Sequence, residues 1–393
     1  MNNYIKYSLL LSILGLITLS CSDARGNGNF TMILSGSVHG QLDPCGWKKN
    51  PLGGLSRRYV KVAEMRHAGI NPVIVDAGDF FFSSKNINSN NKKAQEYRAK
   101  AMLEGYEKIG CDAMNVGQYE ILNGFSFLKQ MSVSTKIPFV SSNLKSINDG
   151  KLIFEPYKIV QRGNIKIGII GVTNLLPDTS STLIADDYIA SANNYARILS
   201  DKVDIIIALV NTDRGTQNQL IENIPDVDFI VTSGSTNMTR DNISSSENGP
   251  YLYSCGKQGK YLITLDVKIK DNNEPFIDIS AEEKKIKSIN KRFERLQKKD
   301  PNKTMEQIYA GQKNILNLIE KYREDIKNSE LIISGAINTI DYKTIPLNKK
   351  IKDDEEILSF VNETLKMCDS LEPNKVRTSK KSLNKNVHTG HEH

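Results

Sequence analysis

Residues that can bind cations or transfer protons recur in short loops that follow apolar runs. Ser37-Val38-His39 follows the run Phe30–Leu34, and Asp76-Ala77-Gly78-Asp79 follows the run Asn71–Val75. Carboxylate, amide and imidazole groups are common protein ligands of divalent metals. Side chains of these types at the ends of neighbouring predicted strands could bind a divalent cation, provided that further loops supply enough ligands.

The elements around these loops predict an α/β (α+β) fold. The predicted strands are residues 30–34, 71–75, 113–116, 137–141, 165–170, 204–210 and 228–232, and the first predicted helices are residues 55–68 and 94–109. Apolar strands that alternate with helices indicate strands buried on both faces. Two later runs, Tyr251–Ser254 and Tyr261–Ile269, are predicted as antiparallel strands.

The pattern changes after residue 280. Apolar residues at helical spacing predict two helices, one with Ile286, Ile289, Phe293 and Leu296 and one with Ile315, Leu318, Tyr322 and Ile326. They are predicted to meet as a helical hairpin at Asp300-Pro301-Asn302. A strand over Thr339–Leu347 and a capped helix over Asp353–Met367 follow. The segment 373–393 is basic and polar and is predicted to be disordered.

The first residues indicate export. Lys6 precedes a short apolar run, Leu9–Leu19, which is typical of a signal peptide over residues 1–20. Cys21 follows the small residue Ser20, so we expect Cys21 to carry lipid and the segment 21–29 to act as a tether. Ordinary cleavage nearby, with an incidental Cys21, is the alternative. The expected location is the bacterial cell envelope, on the periplasmic or surface side, anchored to the membrane through this lipid.

Charge and cysteine content restrict the remaining functions. The net charge is +7, but the tail from Asn374 to His393 supplies five basic residues against Glu392. The body is therefore close to neutral, and nucleic acid is not an expected partner. The other cysteines are Cys45, Cys111, Cys255 and Cys368. Export permits disulfides, and the spacing of these cysteines leaves their pairing open.

Seven loop motifs occur in one order along residues 30–270. They are Ser37-Val38-His39-Gly40, Gly53-Gly54-Leu55, Asp76-Ala77-Gly78-Asp79, Gly117-Gln118-Tyr119-Glu120, Ser141-Ser142-Asn143, Lys166-Ile167-Gly168-Ile169-Ile170-Gly171 and Gln258-Gly259-Lys260-Tyr261. Together they resemble the 5′-nucleotidase branch of the calcineurin-like metallophosphoesterases. The resemblance implies a four-layer αββα sandwich, extended at the C-terminus by the helical hairpin and the strand-helix unit.

The same resemblance implies which residues would hold the metals. His39 and Asp79, the bridging carboxylate, are retained at ligand positions, and Gln118 replaces an asparagine ligand. Tyr119 stands at the position of the catalytic histidine, and Glu120 is not a ligand in the family. The other ligand positions hold Ser37 instead of Asp and Asn211, Gly234 and Thr236 instead of His.

The number of histidines by itself also indicates that the set of metal ligands is incomplete. The chain has five, and His388, His391 and His393 lie in the tail. His67 ends a predicted helix, where a solvated side chain is the simplest interpretation. Only His39 remains for the cleft, so a stable pair of metals is not expected. His39 and Asp79 could equally persist for local packing and loop capping.

Two functions follow as hypotheses. The first is an exported lipoprotein whose phosphoesterase-like domain, residues 30–275, lacks catalysis and binds a ligand or an envelope protein partner. The extension, residues 276–372, could provide a docking element instead. The alternative is a phosphoric ester hydrolase with a single weakly bound divalent metal (Mn, Zn or Fe) at His39, Asp79 and Gln118, with Asn211 as a further candidate.

Overall fold

The structure is a computed structural model, and it describes residues 27–46, 49–178, 180–217, 219–239, 249–271 and 274–372. The predicted signal peptide, Cys21 and the tail from residue 373 lie outside these residues. The described part contains fourteen strands and eleven helices. None of the helices in the described part has the length and apolar content needed to cross a bilayer.

The first sheet has seven strands in the order β13-β14-β12-β1-β2-β3-β4. These strands are β1 (Gly28–Ser35), β2 (Val73–Asp76), β3 (Ala113–Asn115), β4 (Phe139–Val140), β12 (Tyr261–Ile269), β13 (Phe276–Asp278) and β14 (Asn338–Pro346). Strands β1 to β4 are parallel to one another, whereas β12 is antiparallel to both β1 and β14. The motif loops that follow β1, β2 and β3 therefore meet at one edge of the sheet.

The second sheet has five strands in the order β11-β10-β9-β7-β6. They are β6 (Tyr157–Arg162), β7 (Ile165–Thr173), β9 (Ile205–Asn211), β10 (Phe229–Ser233) and β11 (Tyr251–Ser254). A small two-stranded sheet pairs β5 (Leu144–Ser146) with β8 (Leu183–Ala185). Strand β11 runs parallel to β10, so the prediction of an antiparallel strand at Tyr251–Ser254 was wrong. β11 therefore begins at the same end of the sheet as β10, and apolar periodicity does not show this direction.

The described residues form eleven helices, several of which cover the outer faces of the two sheets. They are α1 (Leu55–His67), α2 (Lys92–Ile109), α3 (Gln118–Ile121), α4 (Phe125–Val133), α5 (Tyr188–Leu199), α6 (Arg214–Gln217), α7 (Leu220–Asn223), α8 (Ser280–Gln297), α9 (Met305–Ile308), α10 (Lys313–Gly335) and α11 (Glu355–Ser370). One buried cluster joins α1, α2 and α11 to the first sheet, a second lies between the two sheets, and a third joins α5 to the second sheet. These three cores define four layers, α, β, β and α, as the resemblance implied.

The C-terminal segment is built into the first sheet. β14 lies between β12 and β13, and α11 packs on α1 and α2. Residues of the predicted extension thus share a sheet and a core with the predicted phosphoesterase-like domain. β1 begins at Gly28, so the last two residues assigned to the tether are in a strand.

The helical hairpin differs from its prediction in the connection. α8 ends at Gln297, but α10 begins only at Lys313, and the short helix α9 lies between them. The predicted single turn at Asp300-Pro301-Asn302 was therefore wrong. Thr304 caps α9 by accepting the N–H of Gln307, and this local bond stabilises the additional turn of helix.

Candidate functional site

The motif loops converge at the carboxyl ends of the parallel strands. The N–H of Ser37 donates to the carbonyl of Gly78 at 2.9 Å, and the N–H of His39 donates to the carbonyl of Asp79 at 2.9 Å. Ser37, His39 and Asp79 all adopt left-handed backbone angles, with φ of 52°, 52° and 60°. Such angles are uncommon outside glycine and cluster at sites where the surrounding structure imposes them. The fold therefore keeps the loop geometry of a site at this edge.

Asp79 lies at the bottom of the cleft and is almost completely buried. Its Oδ1 accepts the backbone N–H of Tyr119 at 3.1 Å, and the side-chain amide of Asn211 also donates to the carboxylate, while the N–H of Gly234 donates to the nearby hydroxyl of Ser37 at 3.3 Å. Burial raises the pKa of Asp79, and these donors oppose the rise. The lone pairs that would face cations in a metal centre are thus directed at N–H groups.

Asn211 ends β9 and is fully buried. Its Oδ1 accepts the N–H of Gln118 at 3.0 Å, and its Nδ2 donates to the hydroxyl of Ser233 at 2.7 Å as well as to Asp79. The amide oxygen is therefore turned away from the carboxylate. Asn211 occupies a histidine ligand position but acts as a hydrogen-bond bridge between the two sheets.

Gly234, where the resemblance implies a histidine, has no room for a side chain in this backbone. Its φ is +85°, and a Cβ atom built on it would lie 2.4 Å from the carbonyl oxygen of Thr212. A side chain here would require the backbone to move. Thr236, at the other lost histidine position, is exposed, and the hydroxyl of Ser37 donates to the carbonyl of Ser235 at 3.2 Å.

Glu120 organises the loops around Asp79. One carboxylate oxygen accepts the N–H groups of Phe80 and Phe81 at 2.6 and 3.1 Å, and the other accepts those of Asp79 and Gly117 at 2.9 and 2.8 Å. Burial and, after it, the charge of Asp79 raise the pKa of Glu120 to about 8, and the N–H bonds oppose this. The sequence assigned Glu120 no ligand role, and the structure shows it as the acceptor that shapes the site.

His39 is the one imidazole in the cleft of the described chain. Its ring contacts the ring of Tyr119 with centroids 4.4 Å apart, and its Nδ1 is buried without a hydrogen-bond partner. Burial and the ammonium groups of Lys85 and Lys257 lower the pKa of His39 to about 4. Burial and the charge of Asp79 raise the pKa of Tyr119. Tyr119 is therefore poorly suited to protonate a leaving group at neutral pH.

The residues present do not fit a pair of metals. Among the described residues, no cluster of three or more His, Cys, Asp or Glu side chains could hold an ion. Asp79 already receives N–H donors, Asn211 presents an N–H to it, and Gly234 has no room for a side chain. The orphan Nδ1 of His39 is the one feature that favours a single cation.

The structure brings together most of the residues predicted for the site. Ser37, His39, Asp79, Tyr119 and Asn211 are joined by the contacts described above. Gln118 contributes its backbone N–H, and its half-buried side chain is not seen to join the network. Sequence reasoning missed Lys85 and Lys257, whose charges add to burial in lowering the pKa of His39. Lys257 directly precedes the motif that begins at Gln258, whereas no sequence signal marks Lys85.

Curated relatives of this chain are 5′-nucleotidases. A 5′-nucleotidase of the electric ray Diplobatis ommata is 25% identical over 259 residues, which cover 61% of this chain and 44% of that protein. A 5′-nucleotidase of Vibrio cholerae is 21% identical over 317 residues, with coverage of 69% and 55%. The chain thus spans about half the length of the relatives it matches. No protein-family model matches it.

Solved structures with the same fold come from the same group of proteins. A 5′-nucleotidase precursor of Thermus thermophilus superimposes with a TM-score of 0.60 at 17% identity, over 87% of this chain and 59% of that one. The calcineurin-like phosphoesterase YfkN of Bacillus subtilis gives a TM-score of 0.59 at 14% identity, over 88% and 99%. Sequence relatives and structural neighbours agree: the chain is similar in sequence to 5′-nucleotidases and shares the fold of the calcineurin-like metallophosphoesterases.

Proposed function

We propose that this protein is an exported lipoprotein that keeps the 5′-nucleotidase fold, has lost phosphate-ester hydrolysis and works as a binding or assembly protein in a bacterial cell envelope. The hydrogen bonding of Asp79 carries the proposal. In a dimetal centre this carboxylate would bridge two cations, whereas here backbone and amide N–H groups surround it.

Three replacements support the loss of catalysis independently. Ser37 and Thr236 offer hydroxyl groups at carboxylate and imidazole positions, and these are weak metal ligands. Gly234 sits in a conformation that excludes any side chain. Loss of even the groups that orient a ligand costs about 10–100-fold in metal affinity. Loss of several direct ligands removes the hydroxide nucleophile on which the chemistry depends.

Export is supported by the apolar run Leu9–Leu19 and by relatives such as the venom 5′-nucleotidase of Naja atra, a secreted kind of protein. Lipid attachment at Cys21 rests on its position directly after this run. The ligand or partner has to be recognised at the cleft edge or on the hairpin α8–α10. The described residues fill one sandwich, and nucleotide specificity has no support among them.

Metal analysis and a phosphatase assay test the loss of catalysis. The purified full-length protein should contain substoichiometric Mn, Zn and Fe, and it should not hydrolyse nitrophenyl phosphate or nucleotides in added Mn. The variants Asp79→Ala and His39→Ala should show the same null activity. Two stoichiometric metals with turnover that chelation abolishes would overturn the proposal.

The second candidate is a hydrolase with one metal, and the orphan Nδ1 of His39 favours it. It predicts one divalent ion (Mn, Zn or Fe) per chain, and turnover that disappears in both Asp79→Ala and His39→Ala. His67→Ala is the matched control, because His67 is an exposed histidine at the end of α1. Activity lost in His39→Ala but kept in His67→Ala would support this candidate over the first.

A further inference from the structure

One end of the sandwich holds the starts of β1, β2, β3 and β7, and the opposite end holds the candidate cleft. A Cβ atom at Gly28 would lie 3.5 Å from Ile165, so β1 and β7 begin side by side. Arg162 forms an ion pair with Asp112 at 2.7 Å and donates to the carbonyl of Pro72, which brings the starts of β2 and β3 to the same end. The candidate cleft lies at the opposite end of these strands, about 26 Å away along the eight residues of β1.

Exposed apolar side chains are concentrated at the C-terminal end of α10. Leu331 is 60% exposed, Ile332 is 45% exposed, and Ile337, just after the helix, is 39% exposed. Ser329 donates to Glu282 in the first turn of α8. The last turns of α10 therefore continue past the start of α8, and α8 leaves Leu331 and Ile332 uncovered.

This segment lies beside the point where the chain enters β1. Asn338, the first residue of β14, accepts the N–H of Lys270 at 2.8 Å, which ties the end of α10 to the end of β12. Lys268 pairs with Asn29 of β1. The exposed residues Lys268 and Lys270 thus lie at the same end of the first sheet as Leu331, Ile332 and Ile337, and we call these five residues the strand-start surface.

The length of the preceding chain limits how far this surface can lie from the anchor. Seven peptide steps join Cys21 to Gly28, and a fully extended chain covers at most about 25 Å in seven steps. A lipid on Cys21 would therefore hold the start of β1 within about 25 Å of the bilayer. A tether that is not fully extended would hold the start of β1 closer to the bilayer.

We propose that the strand-start surface rests on the phospholipid bilayer that holds Cys21, so that the candidate cleft faces away from the membrane. This inference rests on the proposed lipid anchor. Leu331, Ile332 and Ile337 lie in the boundary between headgroups and acyl chains, and Lys268 and Lys270 extend along it to the lipid phosphates. The anchor makes a weak contact sufficient, because the surface is already held at high local concentration.

Hydrogen exchange of the full-length exported protein tests the proposal. The protein is compared in vesicles of phosphatidylcholine and phosphatidylglycerol and in non-ionic detergent micelles. Exchange of residues 330–338 should slow several-fold in vesicles, while residues 144–150 near the cleft should exchange equally in both. The double variant Leu331→Glu with Ile332→Glu should lose the protection. The matched control is Ile147→Glu with Ile184→Glu, two exposed apolar residues of the small sheet, and it should keep the protection.

The outcomes separate this inference from the anchor on which it rests. Vesicle-bound protein without protection of residues 330–338 would overturn the membrane contact and leave the anchor intact. Protein that does not bind vesicles, with an unmodified Cys21 by mass spectrometry, would refute the anchor itself. Protection that also occurs without vesicles and weakens on dilution would mean that a second copy covers the surface, and would overturn the inference.

Discussion

Gly234 explains at the level of one residue why the metal site cannot be restored by simple reversion. The family pattern has a histidine here, but φ of +85° and the nearby carbonyl of Thr212 exclude a Cβ atom. The N–H of Gly234 donates to the hydroxyl of Ser37 at 3.3 Å, so this backbone conformation also ties the loop after β10 to the loop after β1. A histidine at this position would therefore require the loop itself to move.

Gly234→Ala should therefore destabilise the fold more than an ordinary change at positive φ. Left-handed backbone strain costs about 1–2 kcal/mol, and overpacking adds about 1–3 kcal/mol. Gly150→Ala is the matched control, since Gly150 has φ of +68° but open space where the Cβ would lie. Urea unfolding should show a clearly larger loss for Gly234→Ala, and equal losses would contradict the clash.

Glu120 predicts a dependence of stability on pH. Its pKa in the folded state, about 8, is above the ordinary value of 4.5, so the native state binds more protons than the unfolded state between these values. The contribution of Glu120 to the free energy of unfolding should therefore be greatest below pH 4.5, and it should decrease as the pH rises to 8. For one extra proton bound in the native state, the free energy of unfolding should fall by about 1 kcal/mol for each pH unit.

Urea unfolding from pH 6.5 to 8 tests this prediction, because the pKa of Asp76, about 6, lies below that window. The wild type should lose stability across it, and Glu120→Gln should show a flatter profile. Glu104→Gln, at an exposed glutamate of α2, should follow the wild type. A Glu120→Gln profile parallel to that of the wild type would refute the assignment.

At the level of elements, the C-terminal region has two parts. One part, β14 and α11, is packed into the sandwich, and the other, the hairpin α8–α10, packs mainly on itself. β14 is hydrogen-bonded to β12 on one side and to β13 on the other, and α11 covers α1 and α2. The hairpin buries its side chains mainly against itself, as Ile289 and Ile319 show. The first part should be essential for folding and the second should not.

Replacing residues 283–328 with a short Gly/Ser linker should leave the sandwich folded, because Glu282 and Ser329 are in contact and are easily joined. Ending the chain after Gly335 should abolish folding, since it exposes the interior edge of β12. Circular dichroism melting and limited proteolysis measure both outcomes. A linker variant that fails to fold would show that the hairpin supports the core. Retention of co-purifying partners by the linker variant would count against a docking role of the hairpin.

At the level of the whole molecule, buried apolar side chains hold the described residues together, without a disulfide among them. No disulfide joins Cys45, Cys111, Cys255 and Cys368 to one another in the described part of the chain, and three of these cysteines are buried. Three apolar cores hold the four layers together. Reducing agent should therefore leave the melting temperature unchanged.

Thiol counting tests this arrangement and the lipid anchor together. The denatured protein should titrate four thiols if Cys21 carries a lipid, and five if it is unmodified. Under native conditions only half-buried Cys45 should react, and slowly, because burial raises the pKa of its thiol. Fewer than four thiols without reductant would reveal a disulfide.

Much of this architecture could be predicted from the sequence because it depends on local patterns. Apolar runs marked most of the strands, such as Tyr251–Ser254, and helical spacing marked α1 and α2 within two residues. The scarcity of histidines outside the tail is a property of composition and needs no structure. The order of the motif loops was sufficient to predict the family fold.

Strand direction, strand order and the contacts of the site residues could be learned only from the tertiary structure. The direction of β11, the place of β14 inside the sheet and the donors around Asp79 depend on contacts between residues far apart in the chain. The resemblance implies that Asn211 and Gly234 stand where the family has histidines, but only the packed backbone shows that Asn211 bridges Gln118 and Ser233 and that Gly234 has no room for a side chain. Local preferences act over a few residues, whereas the chemistry of a cleft depends on where distant loops meet.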